Sequence, residues 1–550
     1  MSNKSDIRRT FNTFRKNLKP GRADKYLPEV AQELRRILEK SEKQTTPNVT
    51  ERLKPGELTD TAIYLTEMAE DLHNEIGLWN CLEEQQLKLY GKRIPWFSDQ
   101  EDPLPPENVL ARRIRFFLWN LFRLFRPQVY ISFDNPSLVH MSEKASDHLQ
   151  NRFAEIPKGS GLNTMLQPEV NTSKDLHRLL VWLGAQSYLI RPIFWHQFHL
   201  DTTQVKPEEI YLFLCGYPIL YSGMTVVDFA ANLLNLDESD CKDLLEWNHR
   251  QVGVYQTEEI KKDEKGLHQI KMKNLINNRT YQVAGAPDEA ITGFEANPIL
   301  LSALVPWRGK WDLAGGLEPV HIKPPENLDT VRRDFIKNQP YYAYNVDRKL
   351  GERARLATEA LHLEFNTKFG DDLIAFPKVE EMLSEMRSFC DTLLEKADPN
   401  DADYPPVKED PDSMNATLLP PICTGFPENI DTFQSDLAVF FNPKNGLELI
   451  PFFQDLISGM KKNGNGLTLE ERDTIQLMVE STSVSPEFID RICKDHGPES
   501  VYASYGISSG QGPDFLKFIL KCSKGIHYRN QQTLLQPEFL FLGNKDSLMP

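Results

Sequence analysis

Leu267-His-Gln-Ile-Lys-Met-Lys273 decides the fold class, because here a chain that has been helical for 250 residues changes its period. Apolar and polar residues alternate along it, which suits a half-buried strand and not a helix. The turn Lys262-Asp-Glu-Lys-Gly266 precedes it and the turn Asn277-Asn278 follows it. Beyond these lie Arg279-Thr-Tyr-Gln-Val283, the apolar run Ile299–Trp307, the turn Arg308-Gly-Lys310, and Trp311–Leu313. Strand and turn in repetition predict a compact antiparallel sheet or small barrel of four or five strands over residues 251–325.

Upstream, residues 1–250 read as a helical N-terminal domain. Glu57–Tyr90, Glu107–Arg126, Ser137–Glu155, Ser173–Leu189, Pro207–Cys215 and Thr225–Leu236 all space their apolar residues by three and four. Downstream, residues 326–397 read as a helical segment packing on the first domain. Residues 398–425 form a linker opened by the Pro- and acid-rich run Asp398–Asp412, a solvated hinge with little to bury. Residues 426–550 read as a small helical C-terminal domain, with helices over Leu447–Lys461, Thr468–Glu480, Pro486–Lys494 and Pro513–Cys522. The expected class is therefore mainly α with a small antiparallel β insert, α+β and multidomain. Leu275–Leu317 resembles strand-rich modules of uncharacterised bacterial proteins, a resemblance that implies neither an activity nor a ligand.

The 550 residues carry a net charge of −16, unevenly spread. Residues 1–50 hold twelve Lys/Arg against six Asp/Glu, and residues 351–500 thirteen against twenty-nine, so opposite ends can attract each other or recruit partners. Seven scattered cysteines, none spaced Cys-x-x-Cys, argue against a disulfide framework and a zinc knuckle. Ile210–Val227 has no charge, but Gly216, Pro218 and Gly223 interrupt it, so it reads as buried core and not as a membrane span. The N-terminal residues lack the apolar core of a secretory signal. Together these features point to a cytoplasmic chain without a transmembrane segment.

Four stretches could carry chemistry. Gly506-Ile-Ser-Ser-Gly510 fits Gly-x-Ser-x-Gly, where a strand-to-helix turn projects a nucleophilic serine. No parallel α/β alternation precedes it, so Ser508 is expected to sit in a structural loop. Trp195-His-Gln-Phe-His199 puts His196 and His199 on one helical face, a weak metal candidate crowded by aromatic residues. Met224–Trp247 has the layout of a helix-turn-helix, but Asp237, Glu238, Asp240, Asp243 and Glu246 would repel a phosphate backbone. In Glu107–Pro127, Arg112, Arg115, Arg123 and Arg126 fall opposite Ile114, Phe117, Leu118, Leu121, Leu124 and Phe125, with Phe116, Trp119 and Phe122 between. Arginine interleaved with aromatic rings suits carboxylates or an outside anion. In so acidic a chain the favoured partner is internal, such as Leu356–Glu395, with nucleic acid, anionic lipid or a second protein as the alternatives.

No nucleotide-cofactor motif stands in the chain, and no cofactor is expected. The reading is a binding or regulatory module acting through protein or polyanion contacts, with Arg112, Arg115, Trp119, Arg123 and Arg126 as its candidate residues. The alternative is a hydrolase whose site is assembled from residues distant in sequence.

Overall fold

The computed structural model describes residues 7, 19–45, 52–91, 93, 106–126, 133–164, 166, 170–198, 205–219, 222–262, 268–286, 298–320, 328–396 and 436–528. The helices α1 (Leu27–Thr45), α2 (Pro55–Asn74), α3 (Leu78–Tyr90), α4 (Pro106–Phe125), α5 (Pro136–Glu155), α6 (Ser173–Gln186), α7 (Arg191–Gln197), α8 (Pro207–Gly216), α9 (Val226–Leu233) and α10 (Glu238–Leu245) lead into five strands. These are β1 (Gln251–Lys262), β2 (His268–Asn274), β3 (Thr280–Ala286), β4 (Ile299–Trp307) and β5 (Lys310–Pro319). There follow α11 (Leu328–Asn338), α12 (Pro340–Val346), α13 (Arg348–Phe369), β6 (Leu373–Phe376), α14 (Val379–Lys396), β7 (Leu437–Asn442) and β8 (Gly446–Pro451). The last helices are α15 (Phe453–Lys461), α16 (Leu469–Glu480), α17 (Pro486–His496), α18 (Glu499–Ser504), α19 (Gly512–Ser523) and α20 (Gly525–Tyr528). The described residues are mostly helical, as the periodicity implies, and hold two small sheets where one β insert was expected.

The described residues divide into two compact units, one drawn from 1–205, 212–237 and 501–523, the other from 206–211, 238–500 and 524–550. In the first, α2 is the central helix and is buried around most of its circumference, polar residues included: Thr61, Thr66, Glu67, Glu70 and Asp71 lie inside with Ile63, Leu65 and Met68. The single long helix suggested by Glu57–Tyr90 is broken at Glu75, where a left-handed conformation (φ 56°) closes α2, and at Gly77 (φ 107°). Asp71 bridges the break, accepting from the backbone N–H of Gly77 at 2.9 Å and of Trp79 at 2.7 Å, so donors left open by the start of α3 find an acceptor.

In the second unit the five strands close into a barrel in the order β1-β2-β3-β5-β4, with β4 returning to β1. The expected antiparallel arrangement holds at every seam but one: β3 and β5 run parallel, meeting at Val283 and Trp311. Parity requires this. Five strands in a ring cannot all alternate in direction, so one neighbouring pair must agree. Tyr255, Ile270, Met272, Tyr281, Val283, Leu300 and Leu304 fill the interior. The hairpin β4–β5 turns on Arg308 (φ 48°) and Gly309 (φ 75°), and two positive φ values in succession match the right-handed twist of its strands. Helices α11–α13 lay Val331, Phe335, Ile336, Ala343, Leu350 and Ala354 against Val254, Leu275, Ile276 and Ile299, covering the outer β1/β4 side.

A second sheet, β6-β7-β8, is antiparallel throughout. Phe365 of α13 and Met382, Met386 and Phe389 of α14 pack on Val439 and Phe441 of β7. Each such side chain contributes roughly 1.5–3 kcal/mol on burial. This sheet corrects two expectations. The helix expected over Leu447–Lys461 is the strand β8 followed by α15, because Pro451 cannot sit inside a helix. The helical run from Leu328 to Lys396 contains β6, which pairs with β7, so residues 426–550 are not purely helical. The expected linker run Asp398–Asp412 lies outside the described residues.

Candidate functional site

The arginine helix α4 has the most distinctive sequence pattern in the chain. Ile114, Phe116, Phe117, Leu118, Trp119, Leu121 and Phe122 are all buried, so α4 is enclosed and not laid on a surface. Its arginines are engaged within the first unit. Arg112 is 7% exposed. Arg115 holds its guanidinium over the Phe133 ring at 4.5 Å and 3.2 Å from Asp134; burial pulls its pKa down, with Asp134 opposing. Arg123 lies over Trp119 at 4.9 Å and Tyr505 at 5.7 Å. Arg126 makes a bidentate pair with Glu57 and also donates to the carbonyl of Arg52 at 3.1 Å. Arg113, outside the expected set, is bidentate to Glu83 at 2.7 and 2.8 Å. Among the described residues, carboxylates that meet the arginines of α4 include Glu57, Glu83 and Asp134.

The interior beside α4 is electrostatically dense. Arg191, fully buried, donates to Glu67 at 2.6 Å and to the carbonyl of Gln186 at 2.7 Å, and lies 4.8 Å over the ring of Tyr64. Burial raises the pKa of Asp60 to about 6 against the pull of Arg191. Tyr188 donates to Asp71 at 2.7 Å. Glu67, Trp182, Gln186, Ser187 and Tyr188 line a cavity of about 10 Å³, room for roughly one water molecule and no substrate.

The other candidates are not brought together. His196 stands half-buried near the end of α7, and His199 lies outside the described residues. Among the described residues no three His, Cys, Asp or Glu side chains gather where they could hold a metal. Gly506–Gly510 joins two helices, α18 and α19, so no strand leads into it, and Ser508 is exposed without a nucleophile-elbow geometry. In Met224–Trp247, α9 and α10 belong to different units, and Thr225 and Asp228 form a capping box that starts α9.

The barrel offers polar groups of another kind. Beyond the helix-covered stretch, β1, β2 and β3 place Gln256, Lys273 and Thr280 in one cross-strand row, and Glu259, Lys271 and Gln282 in the next. They alternate with the inward Ile270, Met272, Tyr281 and Val283, so they point away from the interior, and Glu259, Gln269, Thr280 and Gln282 are exposed. Lys271 pairs with Glu258 at 2.9 Å and Lys261 with Glu259 at 2.8 Å, ion pairs weak enough at a surface to be exchanged. Residues 256–284 hold six Lys/Arg against four Asp/Glu, a local reversal of the chain's acidity. The order β1-β2-β3-β5-β4 with one parallel closure makes a small five-stranded mixed barrel. The parallel seam at Val283 and Trp311 sets the start of β5, and with it the turn Arg308-Gly309, beside β3.

That turn is held by α10. Arg308 donates from Nε to Asp240 at 2.9 Å and from its backbone N–H to Asp243 at 2.6 Å, while its guanidinium lies 5.1 Å over Trp307. The hydrogen bond from Arg308 holds the Asp240 carboxyl below its ordinary pKa. Sequence reasoning located the strands and this turn. It did not single out the β2–β3 face, although the reversal of local charge was there to be read.

No helix among the described residues is long and apolar enough to cross a membrane. No curated protein and no solved structure matches the chain. Residues 15–282, which run from before α1 into β3, match the family described as Protein of unknown function (DUF3843).

Proposed function

We propose that this chain is a binding protein whose barrel lies along a single-stranded nucleic acid, with Lys271 and Lys273 meeting its phosphates. One observation carries the reading: α11–α13 cover the β1/β4 side of the barrel, while the rows on β1, β2 and β3 present amide, hydroxyl and ammonium groups outward. The strand order with its one parallel closure is similar to that of OB-fold barrels, in which the strand 2–3 face and its flanking loops take oligonucleotides or oligosaccharides, an analogy at the level of fold. None of the outward residues named on these rows is aromatic, so bases are not stacked and the contacts are to the backbone. Recognition is then insensitive to sequence, with affinity in the range of roughly 10⁻⁴–10⁻⁶ M at physiological salt. A cytoplasmic location agrees with this, and the free thiols of Cys81, Cys215, Cys390 and Cys522, all buried, support a reducing compartment. The hydrolase alternative gains nothing from Ser508, which no hydrogen bond joins to a histidine among the described residues.

The test is fluorescence anisotropy of a labelled oligonucleotide of ~16 nucleotides with the full chain across a salt series. Lys271→Gln/Lys273→Gln should weaken binding and flatten the logarithmic salt slope by about 1.4, near 0.7 for each phosphate that no longer meets an ammonium group. A wild-type chain that leaves the oligonucleotide free, or a double variant that binds as the wild type does, rejects the reading.

A further inference from the structure

We infer that Arg308 is a latent phosphate-binding residue of the barrel surface, kept out of use by the carboxylates of Asp240 and Asp243, so that α10 regulates the affinity of the barrel. This rests on the proposed nucleic-acid reading and adds to it a residue and a control.

The geometry is that of a substituted ligand. Asp240 receives Arg308 through two nitrogens, Nε and Nη2, the fork-on-carboxylate arrangement that an arginine otherwise makes with a phosphate. Asp243 accepts the backbone N–H of the same residue, so side chain and main chain of the turn are both occupied by acids of one helix. Arg308 nevertheless keeps 47% of its side chain exposed, while Asp240 beneath it keeps 7%. The guanidinium is thus reachable from outside while held from within. The turn Arg308-Gly309 lies beside β3 through the Val283–Trp311 seam, at the margin of the surface that carries Lys271 and Lys273. Loops flanking strands 2 and 3 are where OB-fold barrels extend their contacts. The acids of α10, which exclude it as a DNA-reading helix, suit it to stand in for a phosphate. A strand of nucleic acid reaching the turn must displace Asp240 to gain Arg308, and releasing Arg308 lets it bind one further phosphate.

The test uses the full chain and the same labelled oligonucleotide. Asp240→Asn/Asp243→Asn should bind about five- to tenfold more tightly, with a salt slope steeper by roughly 0.7. The gain must depend on Arg308: Arg308→Gln alone should bind as the wild type does, and Arg308→Gln in the Asn/Asn background should abolish the gain. Glu238→Gln/Glu246→Gln removes the same charge from exposed positions at the start of α10 and just after it, and should leave affinity within about twofold, which separates Arg308 release from bulk charge. If Asn/Asn does not fold, Asp240→Asn alone carries the test, with a gain of about threefold expected. A gain that survives Arg308→Gln, an equal gain from Glu238→Gln/Glu246→Gln, or no gain overturns the inference while leaving the barrel reading intact. If neither wild type nor any variant binds, the barrel reading itself has failed.

Discussion

Arg126 sets its guanidinium edge-on against Glu57, Nη1 2.7 Å from Oε1 and Nη2 2.5 Å from Oε2, across 69 residues of chain. The pair ties the end of α4 to the first turn of α2, and both side chains are mostly covered, 13% and 18% exposed. Arg113, Arg115 and Arg126 fasten an enclosed aromatic helix to its neighbours through Glu83, Asp134 and Glu57.

Arg126→Gln should therefore lower unfolding free energy by about 1.5–3 kcal/mol, the range for hydrogen bonds to charged groups. Glu57→Gln should cost a similar amount, and the double variant less than the sum, since the second change removes a group already deprived of its partner. Urea unfolding of the four chains measures this. Strictly additive losses would mean that the pair is not a stabilising unit.

Arg191 and Glu67 form the deeper pair, at 2.6 Å with 0% and 5% of their side chains exposed. Arg191→Met strands a carboxylate in the interior and is expected to cost about 3–5 kcal/mol, whereas Arg191→Met with Glu67→Leu should recover most of that. Comparing the two by urea unfolding checks it. A double variant as unstable as the single one would refute the account.

His177 sets an acid limit. Burial, with Lys174 adding repulsion, lowers its pKa from the usual 6.5 to about 4. Between pH 6.5 and 4 the unfolded chain takes up a proton that the folded chain refuses, so stability falls as the pH falls through that window. His177→Gln should flatten this part of the curve of melting temperature against pH. An unchanged slope would assign the acid sensitivity elsewhere.

Ser508 should prove chemically quiet. It is exposed in a loop between two helices, so Ser508→Ala is expected to shift stability by less than about 1 kcal/mol. Labelling of the wild-type serine by an ester-directed acylating probe, absent from the variant, would show a nucleophile that the geometry does not prepare.

Local pattern was sufficient wherever one element could be recognised from its own residues. Leu267–Lys273 alternates and β2 spans His268–Asn274; Arg308-Gly309 is a turn because both residues adopt positive φ between two apolar strands. The capping box of Thr225 and Asp228 likewise starts α9 where composition placed a helix. Pro451 was a readable stop inside Leu447–Lys461, overridden by an apolar run that suits strand and helix alike. What the tertiary structure decided were relations between distant residues. The four residues of β6 are too few to show a period and become a strand only by pairing with β7. The α4 arginines look like a surface in a helical projection because charge favours water; which carboxylates desolvate with them depends on how α2, α3 and α5 approach. The alternation of β2 marks Lys271 and Lys273 as outward, yet only the packing of α11–α13 on the β1/β4 side shows which outer surface those helices bury. A residue's own chemistry restricts the backbone and its preferred medium, but its partner is set by where the rest of the chain returns in space.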